Sequence, residues 1–187
     1  MIPATRIAAL AFASLLSVWH LHAAADDAPA VAGESIQAAF APWDNLEDLI
    51  VKAINTANNQ VLVQAYLLTS KKIAAALIDA RRRGIDVRIL ADAEQEAKAA
   101  SSRLPELAAA GIPVWLETKY QNAHNKIIVI DADDKDAIVI TGSYNFTWSA
   151  QNRNAENILI IRKHPILAAR YAANWERHRR DASAYKK

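Results

Sequence analysis

From Glu34 onward the hydrophobic positions switch repeatedly between two periods. "SIQAAFA" (35–41) reads as a strand, and "NLEDLIVKAINTAN" carries Leu46, Leu49, Ile50, Ala53 and Ile54 at helical spacing. "QVLVQAYLLT" (60–69) reads as a strand again. "SKKIAAALIDARRRG" then predicts a helix with Ser70 as N-cap and Gly84 as its stop, leading into the strand "IDVRILAD" (85–92). A helix reset near Pro105 ends at Gly111 before the strand "IPVWLE" (112–117). Beyond it come a strand over 123–131, a polar turn at "DADDKD", the strand "AIVIT", a loop or short helix through "GSYNFTWSAQNRN", the strand "ENILIIR", and a helix from Pro165 to about Arg180. Strands alternating with helices predict an α/β fold, a mostly parallel mixed sheet covered by helices on both faces.

One strand breaks its own pattern. In "AHNKIIVID" (123–131), four consecutive β-branched residues, Ile127 to Ile130, mark a strand inside a covered sheet, yet His124 and Lys126 sit two apart at its mouth, on one face. Asp131 has the opposite parity, so an undistorted strand points it away from that face.

A chain of 187 residues with 52% hydrophobic content has room for one well-buried domain. Lacking cysteine, it has no disulfides or thiolate metal ligands. A formal charge of +2 does not by itself announce a nucleic-acid binder, so any basic footprint is local. Residues 1–25 read as a secretory signal peptide. Arg6 supplies the positive start, Ile7 to Val18 the apolar run, and Ala23 and Ala25 the small residues of a cleavage site. That run is shorter than the ~20 residues of a spanning helix, so no stable membrane anchor is expected after cleavage. The division that follows is a signal peptide at 1–25, a flexible lead-in at 26–33 and a catalytic domain at 34–187. The predicted destination is the periplasm or the exterior.

His124, Lys126 and Asp131 fit His-x-Lys-x4-Asp, followed by Gly142-Ser143-x-Asn145 and by Glu156-Asn157. With these residues the sequence resembles the phospholipase D superfamily, and specifically its small single-motif bacterial endonucleases, over roughly residues 34–180. The resemblance implies a phosphodiesterase with no cofactor and no metal. Ten residues, Ala132 to Thr141, separate Asp131 from Gly142, a longer gap than the family pattern. The extra residues are polar and turn-like, which predicts a longer surface hairpin tip.

The chemistry gives each residue type a reason. A neutral imidazole can attack phosphorus and form a covalent phosphohistidine, which assigns the nucleophile to His124. Lys126 and Asn145 then face the nonbridging oxygens. Glu156 is expected to accept the other ring N–H of His124 and fix its tautomer, Ser143 to support the oxyanion or shape the Gly142 turn, and Asp131 to play a supporting part. In-line displacement places nucleophile and leaving oxygen on opposite sides of phosphorus, so a second imidazole is needed as general acid. His164 and His178 lie outside any matching motif, and no internal repeat supplies another copy. A homodimer with the site at its two-fold axis supplies His124 of the partner subunit.

Tyr144, Phe146 and Trp148 alternate beside the catalytic loop. Core packing is expected for at least one, and base stacking for Tyr144 and Trp148. Tyr66 and Tyr120 read as packing residues, Arg81 to Arg83 as an exposed helix end or a backbone contact to DNA. The leading expectation is a sequence-nonspecific nuclease acting on DNA and also RNA. A phospholipase or phosphatidyltransferase would show an exposed apolar rim around its pocket. A third class is a phosphate- or nucleic-acid-binding module without turnover.

Overall fold

The computed structural model describes residues 35–186; the expected signal peptide and the lead-in lie outside them. The strands are β1 (Ser35–Ala41), β2 (Gln60–Ala65), β3 (Asp86–Asp92), β4 (Val114–Glu117), β5 (Lys126–Ile130), β6 (Ile138–Gly142), β7 (Glu156–Arg162) and β8 (Ser183–Ala184). The helices are α1 (Leu46–Asn55), α2 (Lys71–Arg82), α3 (Ala93–Lys98), α4 (Leu104–Ala109), α5 (Trp148–Asn152) and α6 (Pro165–Asp181). Ser70 caps α2 by accepting from the Ile73 N–H, and Gly84 follows that helix with φ +91°.

All eight strands form one sheet in the order β1-β7-β6-β5-β2-β3-β4-β8. The mixed α/β class and the helices on both faces match the expectation, but the predominance of parallel pairing does not. Among the described pairs, β2–β3 and β3–β4 are parallel, while β1–β7, β7–β6, β6–β5, β5–β2 and β4–β8 are antiparallel. The reason lies in the connections. Parallel neighbours need a crossover of a dozen or more residues, which α2 and the α3–α4 segment provide. The β5–β6 link, residues 131–137, is too short for a crossover. The β6–β7 link, residues 143–155, is stitched to the loop after β2 and holds only the short α5 instead of a helix spanning the sheet.

Helices α1, α2 and α4 bury Leu46, Ile50, Ile54, Ile73, Leu77 and Leu107 against one sheet face, opposite Val61, Val63, Ile128, Ile130, Ile140 and Ile160. Helix α6 covers part of the other face, laying Trp175 over Leu62, Leu90, Ile127 and Val129. Trp175 Nε1 also donates to the Val63 carbonyl at 2.9 Å, which pins α6 to the central strand. Helix α6 stops short of β1 and of the near half of β7. Ile36, Phe40 and Leu159, at 68%, 50% and 38% exposure, stay open on that face.

Candidate active site

The ends of β1, β2, β3, β4 and β6 and the starts of β5 and β7 all lie at one edge of the sheet, as the pairings Ala65–Lys126, Asp92–Glu117 and Ala41–Glu156 require. His124, Lys126, Ser143, Asn145 and Glu156 are all on that edge. Lys126 opens β5, and the exposed His124 stands just before it on irregular backbone.

Lys126 is 6% exposed and donates to the His124 carbonyl at 2.6 Å, drawing the two motif residues together. Burial lowers its ammonium to about 8, with Glu156 pulling in the opposite direction. The ring of Tyr66 lies 4.3 Å from the His124 ring, centroid to centroid, and 4.7 Å from Lys126 Nζ. Tyr66, read from sequence as packing, is therefore part of the site. The available signal was its position at the end of β2, beside the strand that carries the motif.

Ser143 is the polar hub. Its hydroxyl donates to Glu156 at 2.5 Å and accepts from the Asn157 N–H at 3.1 Å, while the other Glu156 oxygen accepts from Asn154 at 2.8 Å. Gly142 permits this approach of β6 to β7, since an added Cβ would lie 2.2 Å from the Asn157 carbonyl oxygen. Within one chain, then, Glu156 is not the hydrogen-bond partner of His124. It begins β7, two strands from β5, a separation of about 10 Å at ~4.8 Å per strand, and the intervening strand presents Ser143 first.

Asn145 is half-buried, with Oδ1 enclosed and lacking a hydrogen-bond partner. Its segment is stitched to the loop after β2: Phe146 N–H donates to the Leu67 carbonyl, and Thr69 and Ser70 N–H donate to the Phe146 carbonyl. Tyr144 is fully buried with Phe146 in the main core, and burial pushes its phenol above the usual tyrosine range. It cannot stack on a base, which corrects the expectation for that residue. Trp148 is 58% exposed with the Arg153 guanidinium 5.1 Å from its ring centroid.

Asp131 lies at the far end of β5, some 16 Å from Lys126 at ~3.3 Å per residue, and so is not in the site. Its carboxylate accepts from the N–H groups of Asn58, Asn59 and Gln60, each at 2.8 Å, and clamps the turn between α1 and β2. This is the supporting role that strand parity indicated. The polar tip 132–137 adjoins it on the surface, away from the catalytic edge. His164 caps α6 at that same far end. His178 is bound to the buried Glu117 carboxylate at 2.5 Å, beside β4, three strands from β5.

A family model described as cardiolipin synthase, phospholipase D-like domain, matches residues 50–179. A curated relative named phospholipase D, from Rickettsia prowazekii, is 41% identical over 141 residues, which are 75% of this chain and 66% of the relative. The chain thus spans just under two thirds of that relative's length. The crystal structure of Nuc from Salmonella typhimurium, a phospholipase D family member, superposes with a TM-score of 0.76 at 29% identity, covering 82% of this chain and 99% of that one. NucT from Helicobacter pylori shares the fold, with a TM-score of 0.73 at 21% identity over 81% of this chain and 99% of that one.

Proposed function

Because the chain belongs to the phospholipase D superfamily, we propose that it is an exported, metal-independent phosphodiesterase, a sequence-nonspecific endonuclease that works as a homodimer through a phosphohistidine. The observation that carries this reading is the meeting of His124, Lys126 and Tyr66 at the sheet edge that also holds Ser143, Asn145 and Glu156.

One ring nitrogen of His124 attacks phosphorus as the bond to the leaving oxygen breaks, and His124 of the partner subunit donates a proton to that oxygen. Water then attacks the phosphohistidine, giving up a proton to the same partner imidazole and restoring His124. Lys126 and the Asn145 amide offset charge on the nonbridging oxygens. Tyr66 presents its ring to both motif side chains. The Glu156–Ser143–Asn157 cluster keeps the neighbouring strand ends rigid.

Two features support the dimer. His164 caps α6 at the far end of the sheet, and His178 is committed to the Glu117 carboxylate three strands from β5. The open apolar face of Ile36, Phe40 and Leu159 runs along β1 and β7 to Asn157, next to Ser143, and a second copy seated there would bring its own site alongside.

A lipid phosphodiesterase is the second reading. It is favoured by two exposed indoles on the catalytic edge, Trp43 at 84% and Trp148 at 58%, and by the name of the Rickettsia relative. The deciding experiment incubates the protein from Asp26 onward, and its His124→Ala variant, with plasmid DNA, RNA and phosphatidylcholine vesicles in excess EDTA. Chelator-resistant DNA cleavage that vanishes in the variant is the expected result. Cleavage of vesicles alone selects the second reading, and strict magnesium dependence overturns the mechanism.

A further inference from the structure

His124 does not inherit its position from a strand. Residues 118–125 run without regular structure from β4 to Lys126, and the nucleophile sits near the end of that stretch. Its backbone is nonetheless tied down on both sides. The Asn125 carbonyl accepts from the Tyr66 N–H at 2.8 Å, and the Ala123 N–H donates to Asp92 Oδ2 at 2.7 Å.

Asp92 is the last residue of β3 and is 2% exposed. Its other oxygen, Oδ1, accepts from the Gln95 N–H at 2.8 Å and caps α3. Capping alone does not require a carboxylate. Serine satisfies an N-cap as well as aspartate does, without burying a charge. What a serine cannot do is hold two main-chain N–H groups on separate segments. The cost of the buried charge makes sense once the second oxygen is counted, because that oxygen secures the residue immediately before the nucleophile.

We propose that Asp92 is a positioning residue for the phosphodiesterase reaction, fixing the backbone at Ala123 so that the His124 ring stays against Tyr66 and in line with phosphorus. The proposal rests on His124 being the nucleophile. Displacement at phosphorus is sensitive to alignment, and a shift of the attacking atom by ~1 Å costs up to about 100-fold. Asp92 lies in the parallel half of the sheet, paired to Glu117 on β4, and so offers a rigid anchor to a segment that has little regularity of its own.

The test compares wild type, Asp92→Ser and Asp92→Asn on a small chromogenic phosphodiester. It adds hydrogen exchange at the Ala123 amide and thermal melting. Serine keeps the α3 cap but is too short to reach Ala123. Asparagine keeps the cap and turns an N–H2 group toward the Ala123 N–H. Both variants are expected to lose about 10- to 100-fold in kcat with KM within about twofold, to exchange the Ala123 amide faster, and to melt about 2–12 °C lower because the buried Ala123 N–H is left unpaired, while staying folded at the assay temperature. A serine variant with wild-type kcat and a freely exchanging Ala123 amide overturns the proposal, as does a loss of activity that merely follows the folded fraction. Wild-type protein that turns over no phosphodiester overturns the functional reading instead, and this proposal with it.

Discussion

Asp131 and Lys126 bracket β5, and both are buried, at 7% and 6% exposure, but they meet the cost of burial differently. Asp131 is surrounded by donors, its two oxygens taking three main-chain N–H groups at 2.8 Å. Its charge is solvated by main-chain donors of the protein itself. Among the described hydrogen bonds, Lys126 has one acceptor, the His124 carbonyl, and the face of Tyr66 beside it. With three N–H donors and so little around it, the ammonium is held below its usual range. One end of the strand is a finished interaction, and the other is a cation awaiting an anion. Three residues that form a single motif in sequence therefore divide into a structural member and two that the proposed reaction uses.

The sharpest way to break this contrast is at the functional end. His124→Ala is expected to lower kcat about 10⁴-fold or more while leaving stability within ~0.5 kcal/mol, since the side chain is exposed. Steady-state kinetics and denaturant melts measure both. Lys126→Met is next, with a loss of about 10²–10³-fold in kcat/KM. In wild type, kcat/KM should fall as pH rises through about 8, where free Lys126 loses its proton, and Lys126→Met should lack that limb. Stability behaves oppositely. Between about 8 and the ordinary lysine value of 10.5 the unfolded chain holds the Lys126 proton and the folded chain does not, so wild-type stability gains from this group as pH rises across that window, a gain absent in Lys126→Met. Tyr66→Leu removes the ring beside both groups and is expected to cost about 10-fold in kcat. The smallest catalytic effect belongs to Asp131→Asn, with kcat of the folded protein within about twofold, against a stability loss of about 1–3 kcal/mol from N–H groups left unpaired at Asn58 to Gln60. A large kcat effect there, at unchanged stability, would erase the distinction between the two ends.

Much of the fold was legible because local signals agreed with each other. Ser70 and Gly84 bound α2 as their chemistry demands, and the β-branched run 127–130 lies in a strand buried on both faces. Strand pairing was legible only where a polar turn predicted a hairpin, between β5 and β6. How β1, β2 and β7 pair with their neighbours depends on tertiary closure, which a hydrophobic period does not carry. Part of the site was legible for the same reason as the strands. Parity correctly turned Asp131 away from the catalytic face, and applied to "SYNF" it would have placed Tyr144 with Phe146 in the core, leaving Ser143 and Asn145 facing the site. Within one chain Glu156 does not meet His124, because spacing along the chain says nothing about which strand lies between them. Tyr66 and Asp92 were missed for a related reason. Each acts through a contact with a distant segment, and neither carries a motif of its own.

The most direct test of the central claim is to quench the reaction with a 5′- and 3′-labelled oligonucleotide in EDTA and search by mass spectrometry for a covalent adduct. An acid-labile phosphoramidate on the His124 peptide, lost in His124→Ala, is the predicted result. Full cleavage by wild type with no adduct on His124 under single-turnover conditions, or with the adduct on another residue, would contradict it.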